Sequence, residues 1–107
     1  MNRRKLNGLR RKHESLKLSG GDISGRQLRG LATSLGRKLK KGKQTGEPMY
    51  VTNIFSLRPI PIPAHSIIRQ KTAMKILTWL EHDLFYWEEK LKNEETQTKK
   101  NKNQGKG

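Results

Sequence analysis

The chain of 107 residues has no cysteine, which excludes a disulfide framework, a thiolate metal site and a cysteine nucleophile. Its three histidines, His13, His65 and His82, do not have a recognisable metal-binding spacing. Only 31% of the residues are hydrophobic, and no apolar run approaches the length of a bilayer span. We therefore expect a protein without membrane segments that needs neither a metal nor a cofactor.

Acidic residues are also scarce. The chain has 24 Lys and Arg against 9 Asp and Glu, which gives a formal net charge of +15. A charge of this size favours polyanions, with RNA and DNA as the first candidates and an acidic protein as the next. The basic N-terminus lacks the continuous apolar segment of a secretory signal, so we expect the protein to be cytoplasmic.

Three prolines alternate with two isoleucines over residues 59–63. In an extended chain, the prolines remove N–H donors from one edge only, whereas the N–H groups of Ile60 and Ile62 can still pair across the other edge. The pattern therefore predicts an edge strand with an apolar inner face, followed by a short turn around His65.

Two amphipathic helices are predicted on either side of the strands. Ser24 and Gln27 form a capping box at the start of the first helix, and Gly36 is its expected end. The second helix begins near residues 69–72 and continues to Leu91 or beyond. The two apolar stripes consist of Leu28, Leu31, Ala32 and Leu35, and of Ala73, Ile76, Leu77, Leu80, Leu84, Trp87 and Leu91.

Two further strand candidates lie between the helices, at residues 37–41 and 49–55. The predicted fold is therefore α+β: a small two-layer sandwich with the order helix, three-stranded antiparallel sheet, helix, and with the second sheet face open. Residues 1–19 are predicted to be a basic arm or an extra N-terminal helix. Residues 20–92 form the single domain, and residues 93–107 are a disordered basic tail.

Two segments resemble the HicA-type toxins, small proteins of bacterial toxin–antitoxin pairs. Ser24-Gly-Arg-Gln-Leu28 with Leu31-Ala-x-x-Leu35-Gly36 is similar to that family's opening helix. Ile60-x-Ile62-Pro63-x-His65 with Lys71-Thr72-Ala73-x-x-Ile76-Leu77 is similar to its last strand and closing helix. The resemblance covers about residues 23–84.

This resemblance implies a fold like the double-stranded RNA-binding domain, mRNA binding, metal-independent endoribonuclease activity and an acidic antitoxin as partner. The family usually carries a histidine in the turn that enters its second strand. This chain has Gly42-Lys43-Gln44-Thr45-Gly46-Glu47-Pro48 at that place, without a histidine. The family's principal catalytic residue therefore has no counterpart here.

RNA cleavage by the 2′-hydroxyl needs a base, an acid for the leaving oxygen, and positive charge at the phosphate. His65 titrates near neutrality and is the candidate catalytic residue, although it could simply end a strand. Glu47 is an alternative base. The nucleic-acid-binding candidates are the densest basic patch and one aromatic ring, for which a solvated strand is the alternative: Arg37, Lys38, Lys40, Lys41, Lys43 and Tyr50.

The aromatic residues leave further alternatives open. Tyr50 and Phe55 are an odd number of residues apart, so a regular strand can expose only one of them. Trp79 and Tyr86 lie beside the apolar stripe and could dock a partner or the N-terminal helix. The acidic residues of the second helix, Glu81, Glu88 and Glu89, are predicted to be a solvated face.

Three functions compete at this point. The first is a HicA-like RNA-binding toxin, with or without mRNA endoribonuclease activity, neutralised by a cognate antitoxin. The second is a non-catalytic basic protein of the same fold that binds RNA, the ribosome or DNA. The third is an oligomeric interaction module built on the aromatic helix.

Overall fold

The computed structural model describes residues 1–41 and 48–104, and the side chains of residues 1–40 and 48–96. It confirms the α+β class and the order helix, three antiparallel strands, helix, and it contains the extra N-terminal helix. The elements are α1 (Arg3–Leu18), β1 (Ile23–Ser24), α2 (Gly25–Ser34), β2 (Lys38–Lys41), β3 (Pro48–Val51), β4 (Ile60–Pro61), β5 (Ile67–Ile68) and α3 (Gln70–Gln104).

The three-stranded sheet has the order β2-β3-β4, so the proline-rich strand β4 lies at its edge as predicted. The side chains of Ile60 and Ile62 are buried, and the N–H of Ile62 donates to the Pro48 carbonyl at 3.2 Å. The isoleucines therefore pair with β3 and fill the core, while the prolines limit pairing on the outer edge.

The two faces of this sheet differ in character. Tyr50 lies between Leu39 and Ile60 in the strand register. Tyr50 and Ile60 are buried, so this face packs into the core along β3 and β4, whereas Leu39 on the edge strand β2 is exposed. The alternate residues Lys38 and Lys40 point to the opposite face, because side chains along a strand alternate. The predicted open face is therefore present, and it carries lysines.

Strand β3 is shorter than the predicted strand over residues 49–55. The hydroxyl of Thr52 accepts a hydrogen bond from the N–H of Ile54 at 3.3 Å, and the N–H of Leu57 donates to the Ile54 carbonyl at 3.1 Å. Such local bonds compete with the sheet ladder for the same backbone groups. The chain therefore turns after Val51, and Phe55 is left fully exposed.

Strands β1 and β5 form a second, two-stranded antiparallel ladder that the sequence did not predict. Helix α2 starts directly after β1, and α3 starts two residues after the end of β5. The carboxylate of Asp22 accepts a hydrogen bond from the N–H of Gln70 at 3.1 Å, at the first turn of α3. This ladder therefore fixes the starts of both helices close together.

Helix α2 has the predicted ends. The Ser24 hydroxyl accepts from the N–H of Gln27 at 3.4 Å, and Gly36 follows the helix with a φ of +97° that favours glycine. Its apolar stripe is buried against α3 and the sheet, and the stripe of α3 is buried except for the partly exposed Trp87.

Helix α1 runs antiparallel along α3. Asn2 caps it by accepting from the N–H of Lys5 at 2.7 Å. Its four buried residues follow a 3-4-3 spacing, and the third, His13, donates from Nε2 to the carbonyl of Leu77 at 2.7 Å. The others are leucines, so α1 completes the core. The buried residues of α1 are Leu6, Leu9, His13 and Leu16.

Helix α3 continues to Gln104, where the sequence predicts a disordered tail from residue 93. Lys, Glu and Gln are good helix formers, so this part propagates α3 without an apolar stripe of its own. No helix in residues 1–41 and 48–104 is long and apolar enough to cross a membrane.

Candidate nucleic-acid interface

Charge is unevenly distributed along the chain. Residues 23–80 contain eleven Lys and Arg, and Glu47 is their sole acidic residue. Six of the nine acidic residues fall instead between Glu81 and Glu95, on the second half of α3. The folded protein therefore combines a strongly basic central segment with an acidic stretch of α3 between Glu81 and Glu95.

Three carboxylates of the acidic stretch of α3 pair with cations of α1. Arg10 pairs with Glu88 at 2.9 Å, Arg3 pairs with both Glu88 and Glu95, and Lys17 lies 4.0 Å from Glu81. The three cations are seven residues apart in sequence, and so are the three carboxylates. Seven-residue spacing places each set along one side of its helix, so the antiparallel pair forms a ladder of charges.

These contacts affect the ionisation of the carboxylates. The hydrogen bond from Arg3 holds the pKa of Glu88 below its usual value, and the nearby charges of Arg3, Arg10 and Lys92 act in the same direction. Of the three carboxylates that we predicted on a solvated face, Glu81 and Glu89 are exposed, whereas Glu88 is partly buried and pairs with Arg3 and Arg10 of α1. The equal spacing of both charge sets was the sequence signal that could have found this contact.

Basic residues flank the β1–β5 ladder, at the starts of α2 and α3 and in the turn before β5. The side chains of Arg26, His65, Arg69 and Lys71 are exposed, and that of Arg29 is half-buried. We call these five residues the junction cluster. Asp22 lies nearby, but its carboxylate already accepts from the start of α3. The junction cluster therefore presents positive charge that suits a phosphate group.

The turn that carries His65 is held rigidly against α2. The N–H of Gly25 donates to the Ser66 carbonyl at 2.8 Å, and Nη1 of Arg29 donates to the carbonyls of Pro63 and His65 at 3.1 and 3.0 Å. A Cβ at Gly25 would overlap the His65 carbonyl oxygen. The approach of this turn to α2 therefore requires glycine at position 25.

The surroundings of His65 supply part of the chemistry that RNA cleavage needs. His65 is exposed, and its backbone carbonyl is bound by the Arg29 guanidinium, a cation of the kind that can stabilise charge on a phosphate. Within the described side chains, no carboxylate or second histidine hydrogen-bonds to the His65 ring.

The predicted nucleic-acid-binding residues differ in their exposure. Lys38 and Lys40 are exposed on the open face of the sheet. The prediction for Arg37 and Tyr50 needs correction, because these side chains are 2% and 5% exposed and cannot reach a nucleic acid. The side chains of Lys41, Lys43 and Glu47 lie outside the described residues.

Arg37 is buried because it pairs with Asp83. Its Nε and Nη2 donate to the two carboxylate oxygens at 2.6 and 2.7 Å, and Nη1 donates to the carbonyls of Tyr50 and Arg58 at 2.9 Å each. The two side chains are each 1% exposed. The guanidinium thus joins α3 to β3 and to the loop before β4, which is a structural role.

In the sequence, Asp83 is the residue that could have indicated this ion pair. It directly precedes Leu84 of the apolar stripe, and a buried carboxylate needs a cation or hydrogen-bond donors. The sequence did not indicate which of the many cations would be the partner.

Comparison with protein-family models, curated proteins and solved structures finds no match to this chain.

Proposed function

We propose that this protein binds RNA through the unpaired cations of residues 23–80. The observation that carries the proposal is the separation of charge: the acidic half of α3 is paired with α1, whereas the central segment keeps its charge. Among its described side chains, Arg37 is the one that takes part in an ion pair. Each phosphate that such cations contact releases counterions, which favours binding.

RNA is preferred among polyanions because of the resemblance to HicA-type toxins. That resemblance covers about residues 23–84, which includes the segment that carries the unpaired charge. A HicA-like protein would be neutralised by an acidic antitoxin, and such a partner would compete with RNA for the same cations. DNA and the ribosome remain the alternative targets of the same basic surface.

A mobility-shift titration with an end-labelled mRNA fragment tests this proposal. The variant removes three charges of the junction cluster: Arg26→Ala, Arg69→Ala and Lys71→Ala. We expect its affinity to fall at least about tenfold, because three phosphate contacts are lost.

The matched control removes three exposed charges of α1, through Arg4→Ala, Lys5→Ala and Arg11→Ala. This variant loses the same net charge and should bind within about threefold of the wild type. Equal weakening of both triple variants would mean that net charge alone determines binding, and it would contradict an interface on residues 23–80.

Endoribonuclease activity centred on His65 is a second candidate function. It is favoured by the exposed imidazole in a turn that Arg29 and Gly25 fix beside cations. In nucleotide-resolution gels of end-labelled mRNA, His65→Ala should lower cleavage about a hundredfold or more, and the neighbouring Ser66→Ala should leave it unchanged. Shifted but intact RNA with the wild type would leave a binding protein without this activity.

A further inference from the structure

A cleft of about 500 Å³ lies between the loop that precedes β4 and the middle of α3. Its volume is in the range of small-ligand sites. The buried Arg37–Asp83 pair contributes to its lining, and none of its lining residues belongs to the junction cluster. The walls are formed by Ser56, Leu57, Arg58, Pro59, Trp79 and His82.

The charge in this cleft that is not paired within the protein is positive. Arg37 and Asp83 neutralise each other through their two hydrogen bonds. Arg58 has an exposed side chain, and its backbone carbonyl is held by Arg37 at 2.9 Å. The cleft therefore offers an anchored cation without a competing free carboxylate among the residues that line it.

The second wall of the cleft is aromatic. The side chain of Trp79 is 38% exposed although it is a large apolar ring, and His82 lies one helical turn further along α3. Phe55 is fully exposed on the same loop as Ser56 and Leu57, in the turn that Thr52 fixes. Exposed rings beside a cation are the usual composition of sites that stack nucleic-acid bases.

We propose that this cleft binds an unpaired base of RNA, stacked on the indole of Trp79, with Arg58 contacting the adjacent phosphate. Ser56 and His82 offer hydrogen bonds to the edge of the base. A duplex hides the faces of its bases, so the substrate class is single-stranded RNA. This inference rests on the proposed function and specifies which form of RNA the protein takes.

Tryptophan fluorescence tests the site directly. In Trp87→Phe, Trp79 is the sole tryptophan, and a single-stranded oligouridylate of about ten nucleotides should quench its emission in a saturable way. An RNA duplex of the same length should bind without this quenching. Equal quenching by the duplex, or binding of the single strand without quenching, would overturn the inference.

Affinity measurements over a range of salt concentrations separate stacking from charge. Trp79→Ala should weaken binding of the oligouridylate about five- to hundredfold without changing the slope of log Kd against log salt, whereas Trp79→Phe, which keeps a ring, should remain within about fivefold of wild type. Arg58→Ala should reduce that slope by about one phosphate contact.

The outcomes also distinguish this inference from the proposed function. If Trp79→Ala and wild type bind the oligouridylate equally and both depend on the junction cluster, RNA binding stands and the base-binding cleft is wrong. If emission of Trp79 responds to an acidic protein but not to RNA, the cleft is a protein-docking site and the inference is wrong. If no RNA binds at all, both proposals fail.

Discussion

Arg37 shows how one residue of a basic run can have a role opposite to that of its neighbours. Lys38 and Lys40 are exposed, whereas Arg37 is buried with all its hydrogen bonds directed at Asp83 and two backbone carbonyls. The planar guanidinium fits a carboxylate through two parallel bonds, which lysine cannot do. The ion pair therefore explains why arginine stands at this position.

Removing one partner of this pair should be costly. We expect Asp83→Ala to lower the free energy of unfolding by about 3–5 kcal/mol, because the Arg37 guanidinium would remain buried without its counter-charge. Urea unfolding near neutral pH measures the change. As a control, Lys38→Ala on the exposed face should change stability by less than about 0.5 kcal/mol. A loss below about 1 kcal/mol in Asp83→Ala would contradict the structural role of the pair.

Two glycines of α2 should respond in opposite ways to the same substitution. Gly25→Ala should destabilise the protein by about 1–3 kcal/mol, because the new Cβ would meet the His65 carbonyl and push the turn away. Gly30→Ala meets only the flexible end of Lys12 at 4.0 Å and should stabilise by up to about 1 kcal/mol. Thermal unfolding compares the two, and similar effects at both positions would contradict the packing of the His65 turn on α2.

At the scale of elements, α1 is an integral part of the fold. It contributes leucines to the core and neutralises the acidic side of α3. The α1–α3 contacts pair Glu81, Glu88 and Glu95 with cations of α1. Among the described side chains of residues 23–80, Arg37 is the one that takes part in an ion pair. The N-terminal helix thereby supports the basic surface without belonging to it.

The pairing of α1 with α3 should weaken in acid. Because hydrogen bonding to Arg3 lowers the pKa of Glu88 in the folded protein, its contribution to stability is present above the ordinary carboxyl pKa and is lost as the pH falls through the lowered value. The unfolding free energy should therefore decrease as the pH falls from about 5 to about 3, and Glu88→Gln should reduce this dependence.

The neighbouring Glu89→Gln is the control for this pH dependence. Glu89 is exposed on the same turn of α3 and takes no part in the charge ladder. Its substitution should leave the acid sensitivity of unfolding as in the wild type, followed by helical circular dichroism. Equal flattening by both variants would show that the effect arises from general charge and not from the contact with Arg3.

The elements that were predicted correctly are those whose sequence pattern involves residues close together in the chain. The stripes of α2 and α3, the N-terminal cap at Ser24 and the alternation over residues 59–63 all depend on neighbours in sequence. The β1–β5 ladder has two residues in each strand, which is too short to show a period. The early end of β3 depends on one hydroxyl bond of Thr52, which competes with β-propensity that would extend the strand.

At the scale of the whole molecule, the sequence indicated a basic patch at residues 37–43, but it did not indicate which cations are accessible. The burial of Arg37 depends on a contact with Asp83, 46 residues further along the chain. The junction cluster depends on the β1–β5 ladder, which places the His65 turn beside the start of α2 and places Asp22 beside the start of α3. Such long-range pairings determine accessibility, and local patterns do not specify them.

The separation of charge is therefore the central feature of the molecule. The charge ladder joins α1 to α3, and Asp83 of α3 pairs with Arg37. The residues of the ladder are Arg3, Arg10, Lys17, Glu81, Glu88 and Glu95. The net charge that remains is concentrated on residues 23–80. An RNA chain that binds this segment would meet cations at the junction cluster and on β2.

The salt dependence of RNA binding tests this account most directly. Fluorescence anisotropy of a labelled single-stranded RNA is measured from low to high salt for the wild type, the junction triple variant and the α1 triple variant. We predict a linear decrease of log affinity with log salt, with a slope that falls by about 2 in the junction variant and stays unchanged in the α1 variant. A slope reduced equally in both variants, or in neither, would contradict the account.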